Sequence, residues 1–283
     1  MLSYPKLSGL TALLLAGLSA CSSSNPSSSS STSSTTTTTG SGGSGGGGSG
    51  GGGGTAGSGP VARCTEPTAV ACDDDVILEM NLKKDVTPGK VGSQADGDGW
   101  ISTVDATAGG AFASEPESYT YAKFGDSGLE KVAISDQDAL DSMAWDIAFR
   151  RYVVRINSGN SGPSCVQAAR VPGKPKYEDV TTLAENLMFR DDEYFTMSCD
   201  IIPDGSGLPG SPATALSSYW TYPGCVKMTD NVFVVSLANG RNLKLQVTDY
   251  YNHAVQEQCD TKESIPMSNT GSANFVVRWA FLP

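Results

Sequence analysis

The sequence predicts a mainly antiparallel β fold with one or two short helices. Stretches rich in β-branched and aromatic residues recur between residues 119 and 281, and several of them alternate apolar and polar residues with a period of two. Helical periodicity is rare by comparison. The 224 residues at 60–283 are enough for one β domain of ordinary size. We therefore expect one β domain over these residues.

Two stretches in the first half of this domain carry a strand signal. Residues 119–124 are aromatic and β-branched. In 144–157, Trp145, Ile147 and Phe149 alternate with polar residues, and an apolar run continues to Ile156. This second stretch predicts one long strand with a buried face, ending in the Gly/Ser/Asn loop at 157–163.

The clearest strand signal lies in 231–251. An apolar run is followed by Asn239 and Gly240, a pair that favours a type I′ hairpin turn. Leu243, Leu245 and Val247 then alternate with polar residues, which predicts one buried face and one wet face. A last strand is predicted at 274–281, where it would hold the C-terminal end of the domain in place.

Helical signals are few. Residues 182–185 fit a capping box, and Leu183 and Leu187 follow at i,i+4 spacing. A second short helix is predicted at 135–143.

The N-terminal residues 1–21 have the features of a secretory signal. Lys6 precedes a short apolar core at 10–18, which ends just before Ser19-Ala20-Cys21. Small residues before a cysteine resemble a bacterial lipobox, which implies a diacylated Cys21. Ser22 after this cysteine resembles an outer-membrane sorting signal. The alternative is an ordinary signal peptide with a chance cysteine. No later run of about 18 apolar residues predicts a membrane span.

Residues 22–59 predict a disordered linker. Of these 38 residues, 35 are Ser, Thr or Gly and none is charged. Such a chain spans about 30–37 Å on average. The sequence therefore predicts a lipid-anchored domain at 60–283 that floats off the bacterial outer membrane, facing either outward or into the periplasm.

Composition excludes several kinds of function. The domain holds 18 basic and 30 acidic residues, and so acidic a surface is a poor nucleic-acid binder. A single histidine removes most zinc-hydrolase and His-general-base schemes. No spacing indicates a nucleophile with its base, so no enzyme is expected. The acidic runs at 73–75 and 96–98 are typical of solvated loops, with a calcium site as the alternative.

Seven cysteines agree with export. With Cys21 lipidated, an even number remains, which predicts three disulfides in an exported chain. The six are Cys64, Cys72, Cys165, Cys199, Cys225 and Cys259. Fifteen pairings are possible and the spacing chooses none, although a Cys64–Cys72 loop and a Cys199–Cys225 bridge are plausible. A cysteine metal site is the alternative, but the sequence has no Cys-x-x-Cys pair.

Two sequence blocks resemble the HmuY family of exported haem-binding lipoproteins. The first is Trp-Asp-Ile-Ala-Phe-Arg-Arg-Tyr at 145–152 with Arg-Ile-Asn-Ser-Gly at 155–159, and the second is the hairpin at 239–252 that ends in Asp-Tyr-Tyr-Asn. The resemblance implies a hand-shaped β fold that clamps haem between two loops. It also implies capture of haem from haemoproteins and transfer to an outer-membrane receptor. The alternative is a surface interaction module of the same fold without haem.

The resemblance also bears on the iron ligands. The best-known members use two histidines, but this chain has only His253, which the sequence favours as a surface or turn residue. Methionine also binds haem iron. Met197 and Met228 lie between the two blocks, where the family carries its ligand loops, and a Cys199–Cys225 bridge would bring them together. They are the predicted ligands, and Met188 is a third candidate. The aromatic residues Tyr219, Trp220 and Tyr222 are candidates to flank the porphyrin, or simply to pack.

Overall fold

The computed structural model describes residues 61–107 and 117–283. The predicted signal peptide with Cys21 and the predicted linker at 22–59 lie outside these residues. The helices and strands of the described part are α1 (Asp73–Glu79), β1 (Val91–Asp96), β2 (Gly99–Asp105), β3 (Thr120–Gly125), β4 (Gly128–Val132), β5 (Ile147–Arg150), β6 (Val153–Ile156), β7 (Gln167–Arg170), β8 (Trp220–Thr221), β9 (Lys227–Met228), β10 (Phe233–Ser236), β11 (Asn242–Asp249), α2 (His253–Lys262) and β12 (Asn274–Phe281).

The strands form two sheets and a short ribbon. The larger sheet has six strands in the order β1-β2-β12-β11-β10-β7, and the smaller has four in the order β4-β3-β5-β6. β8 and β9 pair with each other. Every one of these pairings is antiparallel. The prediction of a mainly antiparallel β fold with two short helices is therefore confirmed.

One hydrophobic core joins the two sheets. Side chains of β3, β5 and β6 meet side chains of β2, β10, β11 and β12. The ring centres of Phe149 and Phe275 lie 5.2 Å apart across this core. Trp279 is fully buried in it, and its indole N–H donates to Ser102 Oγ at 2.9 Å. Burial of these large side chains is the main stabilising term of the fold.

The outer face of each sheet is covered as well. α1 and Tyr194 pack over the smaller sheet, and residues 177–180 pack over the larger one. Lys244, predicted to lie on a wet face, is buried as a result. Its ammonium donates to Tyr177 O at 3.1 Å and lies 4.2 Å from the centre of the Tyr177 ring. The β11 strand therefore has a less exposed second face than its alternation predicts.

The single strand predicted over 144–157 is wrong, because this stretch is a hairpin. β5 and β6 pair with Arg150 opposite Val153, and Arg151 and Tyr152 form the turn. Arg151 takes a left-handed φ of 52°. The turn contains no Gly, Pro, Asn or Asp, so the sequence gives no sign of it.

The hairpin predicted in 231–251 is confirmed, but its turn is not type I′. β10 and β11 pair in register from Phe233 to Ser236. Of the turn residues only Gly240 has a positive φ, 83°, whereas type I′ requires two. Leu237 and Arg241 close the loop with a 2.9 Å hydrogen bond from Leu237 N–H to Arg241 O. This is a three-residue loop with a left-handed glycine.

The helix predicted at 182–187 is wrong. No helix forms there, and Leu183 is exposed. An isolated capping box with two leucines is too short to nucleate a helix. The helix predicted at 135–143 shrinks to a 3₁₀ turn, Asp138–Asp141. Among the described residues no helix has both the length and the apolar content needed to cross a membrane.

All six cysteines of the domain form disulfides, as predicted, but neither suggested pairing is present. The bridges are Cys64–Cys165, Cys72–Cys199 and Cys225–Cys259. Cys64 lies next to Arg63, whose guanidinium donates to Cys165 O at 3.1 Å just before β7. Cys72 lies at the start of α1, which packs on the smaller sheet. Neighbours in sequence are thus divided between different parts of the domain.

Candidate functional site

The long connection between β6 and β10, residues 157–232, carries the candidate site. Side chains that accept backbone N–H groups hold much of it in place. Asn160 is buried, and its Oδ1 accepts the N–H groups of Tyr194 at 2.9 Å and Phe195 at 3.0 Å. Its Nδ2 donates to Ala71 O at 3.0 Å. One asparagine therefore joins the start of α1 to the middle of the connection.

Asp192 fixes three further segments. Its fully buried carboxylate accepts the N–H groups of Ile156 at 2.8 Å and Ala215 at 2.7 Å, and the Ser161 hydroxyl at 2.7 Å. Burial raises the pKa of Asp192 to about 6, an effect that these donors and the guanidinium of Arg155 only partly offset. The position of Ala215, which forms part of the cleft described next, depends on this carboxylate.

A cleft opens at the outer edge of β7, the last strand of the larger sheet. Ala168 and Arg190 form a single antiparallel bridge there, with N–H···O distances of 3.1 and 2.9 Å. Continuing this register by two residues places Met188 opposite Arg170. Residues opposite each other on paired strands point to the same face. One side of the cleft is accordingly formed by Ala168, Arg170, Pro172, Asn186, Met188 and Arg190.

We call this feature the edge cleft. Ala215 and Ser218 line it on the other side, and its volume is about 430 Å³. Ligand pockets for small molecules typically have about 300–1,000 Å³. The edge cleft is therefore large enough to hold part of a flat macrocycle, with the remainder exposed.

Residues 186–190 alternate between the cleft and the protein interior. Met188 points into the cleft, whereas Leu187 and Phe189 are half-buried and pack against the cluster that covers the larger sheet. This is a period of two, as in a strand. The spacing of Leu183 and Leu187 predicts a helix, whereas the alternation of 186–190 has the period of a strand.

Methionine 188 is unusually exposed for its residue type, with 83% of its surface accessible. Methionine is normally a core side chain. Here its thioether stands free on the rim of a cleft, where an iron atom could reach it. Thioether sulfur is a soft ligand for haem iron.

Two arginines flank this methionine. Arg170 and Arg190 are exposed, and within the described residues neither guanidinium has an ion pair or a side-chain hydrogen bond. None of the described residues that line the edge cleft is acidic. The chain as a whole carries a net charge of −11. The cleft is therefore a local basic site on an acidic protein, and its two arginines are too far apart in the sequence to form a motif.

The predicted aromatic residues lie around a different cavity of about 540 Å³. Trp220 forms a buried part of its wall, and Tyr222, 43% exposed, forms part of its rim. Tyr219 instead lies in the core, where its hydroxyl donates to Tyr152 O at 2.7 Å. None of the described residues lining this cavity is a methionine, histidine or cysteine, so it offers no soft or imidazole ligand for iron.

His253 lies at a third cavity of about 590 Å³. It is the first residue of α2, and its exposed ring is hydrogen-bonded through Nδ1 to Asp249 at 2.9 Å. This hydrogen bond raises the pKa of His253 above its usual value. Apart from His253, the described residues that line this cavity include no methionine, histidine or cysteine, so it offers a single imidazole and no thioether for iron.

The two predicted iron ligands, Met197 and Met228, lie in different environments. Met197 is fully exposed on a turn next to Cys199, whereas Met228 is buried in the main core. The bridge that was expected to join their segments is not formed, because Cys199 pairs with Cys72. Iron coordination by the Met197–Met228 pair stays a prediction, now without this geometric support.

The two acidic runs have structural roles. Residues 73–75 form the first turn of α1, where carboxylates favour the helix dipole. Asp96 ends β1 at the turn to β2 and accepts from Arg278 Nε at 2.6 Å. In the part of the chain that the structure describes, no group of three or more His, Cys, Asp or Glu is placed to hold a metal ion.

Comparison with known proteins agrees with the sequence resemblance. A family model described as HmuY protein matches residues 115–262, just over half of the 283 residues. The match includes β3 to β11 and the edge cleft. No curated protein matches the chain.

Several solved structures are similar at low identity. A HmuY-like protein of Bacteroides vulgatus, described as haem-binding, is 14% identical, covers 64% of this chain and 91% of its own, and has a TM-score of 0.40. A Bacteroides fragilis protein described as a lipoprotein is 14% identical, with coverages of 66% and 93% and a TM-score of 0.42. An apo HmuY analogue of Tannerella forsythia is 16% identical, with coverages of 70% and 99% and a TM-score of 0.36.

Proposed function

The chain belongs to the HmuY family, and from this premise we propose that it binds haem in the edge cleft. The observation that carries the proposal is the exposed thioether of Met188 on the rim of that cleft. The protein makes and breaks no covalent bond in this role. Bound haem supplies an iron centre that accepts the thioether as an axial ligand.

The residues of the edge cleft suit a flat, partly apolar ligand. Pro172 offers exposed apolar surface, whereas Ala168 and Ala215 are buried and line the cleft with little accessible area. The wall is rigid at two points, since Ala168 is in β7 and Ala215 is bonded to the buried Asp192. A preformed site loses little conformational entropy when a ligand binds.

Location at the bacterial cell envelope completes the proposal. Cys21 would anchor the chain to the outer membrane through its acyl groups, and the linker at 22–59 would hold the β domain away from the surface. There the domain would take haem from a haemoprotein and pass it to a receptor in the same membrane. Thioether sulfur is a soft ligand, so it binds ferrous iron more readily than ferric iron.

Titration of the full chain with haem, in ferric and dithionite-reduced forms, tests the proposal. We expect a saturable one-to-one change in the Soret band, strongest for ferrous haem. Met188→Ala should weaken binding at least tenfold, because the axial ligand is lost. Met267→Ala is the matched control, since Met267 is also an exposed methionine, at 101%, and it should bind as the unchanged chain does.

Further variants separate the competing ligands. Met188→His should retain binding and move the Soret band toward that of an imidazole complex. Met197→Ala and His253→Ala should each leave the spectrum unchanged, and so should Met228→Leu, which keeps the volume of this buried side chain but removes the sulfur. If Met197→Ala or Met228→Leu removes binding while Met188→Ala does not, the ligand assignment is wrong. Absence of any saturable change in both oxidation states would overturn haem binding and leave an interaction module of the same fold.

A further inference from the structure

The two arginines of the edge cleft are placed close together without counter-ions. Arg190 lies opposite Ala168 across the bridge, and Arg170 is two residues along β7 from Ala168. The two arginines are thus diagonal neighbours on one face, a position at which β-carbons typically lie somewhat less than about 7–8 Å apart. Like charges at this separation repel each other, so the arrangement contributes no stability by itself.

The chemistry of the pair matches a ligand with two carboxylates. A guanidinium group presents a planar fork of N–H donors that fits a carboxylate with two parallel hydrogen bonds. Met188 lines the same cleft as the two arginines, so a ligand at the thioether would have one edge near both of them. No described acidic side chain lines the cleft to compete for them.

We propose that Arg170 and Arg190 bind the two carboxylates of a dianionic tetrapyrrole and make the edge cleft selective for diacids, whether or not the macrocycle carries a metal. This inference rests on the proposed function for the position of the ligand. It adds that recognition is divided between a metal-dependent contact at Met188 and a metal-independent contact at the arginines.

The test compares metal-free protoporphyrin IX with its dimethyl ester on the full chain. The two probes share the macrocycle and differ at the two side chains, which are ionised in the diacid and are neutral methyl esters in the other probe. Binding is followed by porphyrin fluorescence and by quenching of the tryptophans. We expect the diacid to bind at least tenfold more tightly than the ester, and its affinity to fall as salt is raised, because salt screens exposed charges.

Variants of the two arginines test whether these side chains cause the preference for the diacid. The double variant Arg170→Ala with Arg190→Ala should bind the diacid at least tenfold more weakly and should bind the ester as the unchanged chain does. Arg170→Lys with Arg190→Lys keeps both charges but loses the forks, and should retain part of the selectivity. Lys262→Ala, which removes one exposed positive charge from α2 far along the chain, is the control and should change neither probe.

The outcomes distinguish this inference from the proposed function. If haem binds through Met188 but ester and diacid bind equally, the arginine contact is refuted alone. If the diacid binds in an arginine-dependent way while haem shows no iron-linked spectral change, the inference stands and iron ligation is refuted. Binding of neither porphyrin would overturn both.

Discussion

The two packed sheets and the long connection at 157–232 are held by different interactions. The sheets are joined by ladders of backbone hydrogen bonds and by burial of large side chains such as Trp279 and Phe149. In the connection, a few buried polar side chains accept backbone N–H groups, and Cys72–Cys199 links it to α1. Irregular backbone fixed in this way leaves the segment at 186–190 free to form one wall of an open cleft. The candidate site therefore lies where this irregular connection meets β7, the edge strand of the rigid scaffold.

The largest expected effect comes from removing the carboxylate that holds the connection. Asp192→Ala leaves the buried N–H groups of Ile156 and Ala215 without an acceptor, and it removes the nearer of the two acceptors of the Ser161 hydroxyl. Each unsatisfied group costs about 1–3 kcal/mol, so we expect the free energy of unfolding to fall by about 3–5 kcal/mol. Urea unfolding measures this change.

Two further variants make the Asp192 prediction specific. Glu193→Ala removes the exposed neighbouring carboxylate and should change stability by less than about 0.5 kcal/mol. Asp192→Asn keeps the shape of the side chain and one acceptor oxygen. Its free energy of unfolding should lie between those of Asp192→Ala and Glu193→Ala. If Asp192→Ala were as stable as Glu193→Ala, the connection would be held by something other than this carboxylate.

A second buried carboxylate, Asp146, allows the same kind of test in the packed sheets. It precedes β5 and accepts the N–H of Phe124 at 2.9 Å. Burial raises its pKa from 3.8 to about 6. The folded protein therefore binds more protons than the unfolded chain between these pH values, so the free energy of unfolding falls as pH rises from about 4 to about 6.

Asp146→Asn should remove this share of the pH dependence. The amide oxygen can still accept from Phe124, and the side chain no longer ionises. At most about 3 kcal/mol of pH-dependent destabilisation should disappear, since one pKa unit corresponds to about 1.4 kcal/mol. When the free energy of unfolding is measured from pH 4 to pH 8, the value for the variant should rise relative to that of the unchanged chain as pH rises. Asp141→Asn, at an exposed position, is the control, and parallel curves for all three proteins would refute the effect.

The same contrast explains what the sequence could predict of the fold. Alternation and β-branched runs identify β3, β5, β10, β11 and β12, because burial of one face imposes a period of two. β1 is polar and mostly exposed, so it has no such pattern. α2 lacks an apolar stripe, and its buried side chains are Gln256 and the bridged Cys259. Disulfide pairing depends on which segments meet in space, which spacing along the chain does not reveal.

The candidate site was predictable only in part. The family resemblance directed attention to methionines of the long connection, and Met188 was among them. Arg170 and Arg190 lie 20 positions apart, and a single bridge between β7 and residue 190 brings them to one face. No local pattern records such a contact. The alternation at 186–190 was the one available signal, and it matters only once the segment is known to lie along a strand.

The smallest expected effect, a null result, concerns the edge cleft itself. Met188, Arg170 and Arg190 are exposed, and in the described residues the arginines have no ion pair to lose. Met188→Ala and the double variant Arg170→Ala with Arg190→Ala should change the free energy of unfolding by less than about 0.5 kcal/mol. The double variant could gain slightly, because it removes repulsion between like charges. Thermal and urea unfolding provide the measurement.

This null result would separate residues that stabilise the fold from residues that serve the ligand, which another destabilised variant would not do. A residue that stabilises the fold has a structural reason to be present, whereas an exposed thioether beside two unpaired arginines has none. If the three substitutions leave stability unchanged and remove porphyrin binding, these side chains serve the ligand alone. A loss of 2 kcal/mol or more, which exceeds the usual range for surface positions, would instead show that they hold residues 186–190 against β7. The edge cleft would then be a structural joint, and the candidate site would have to be sought at the other two cavities.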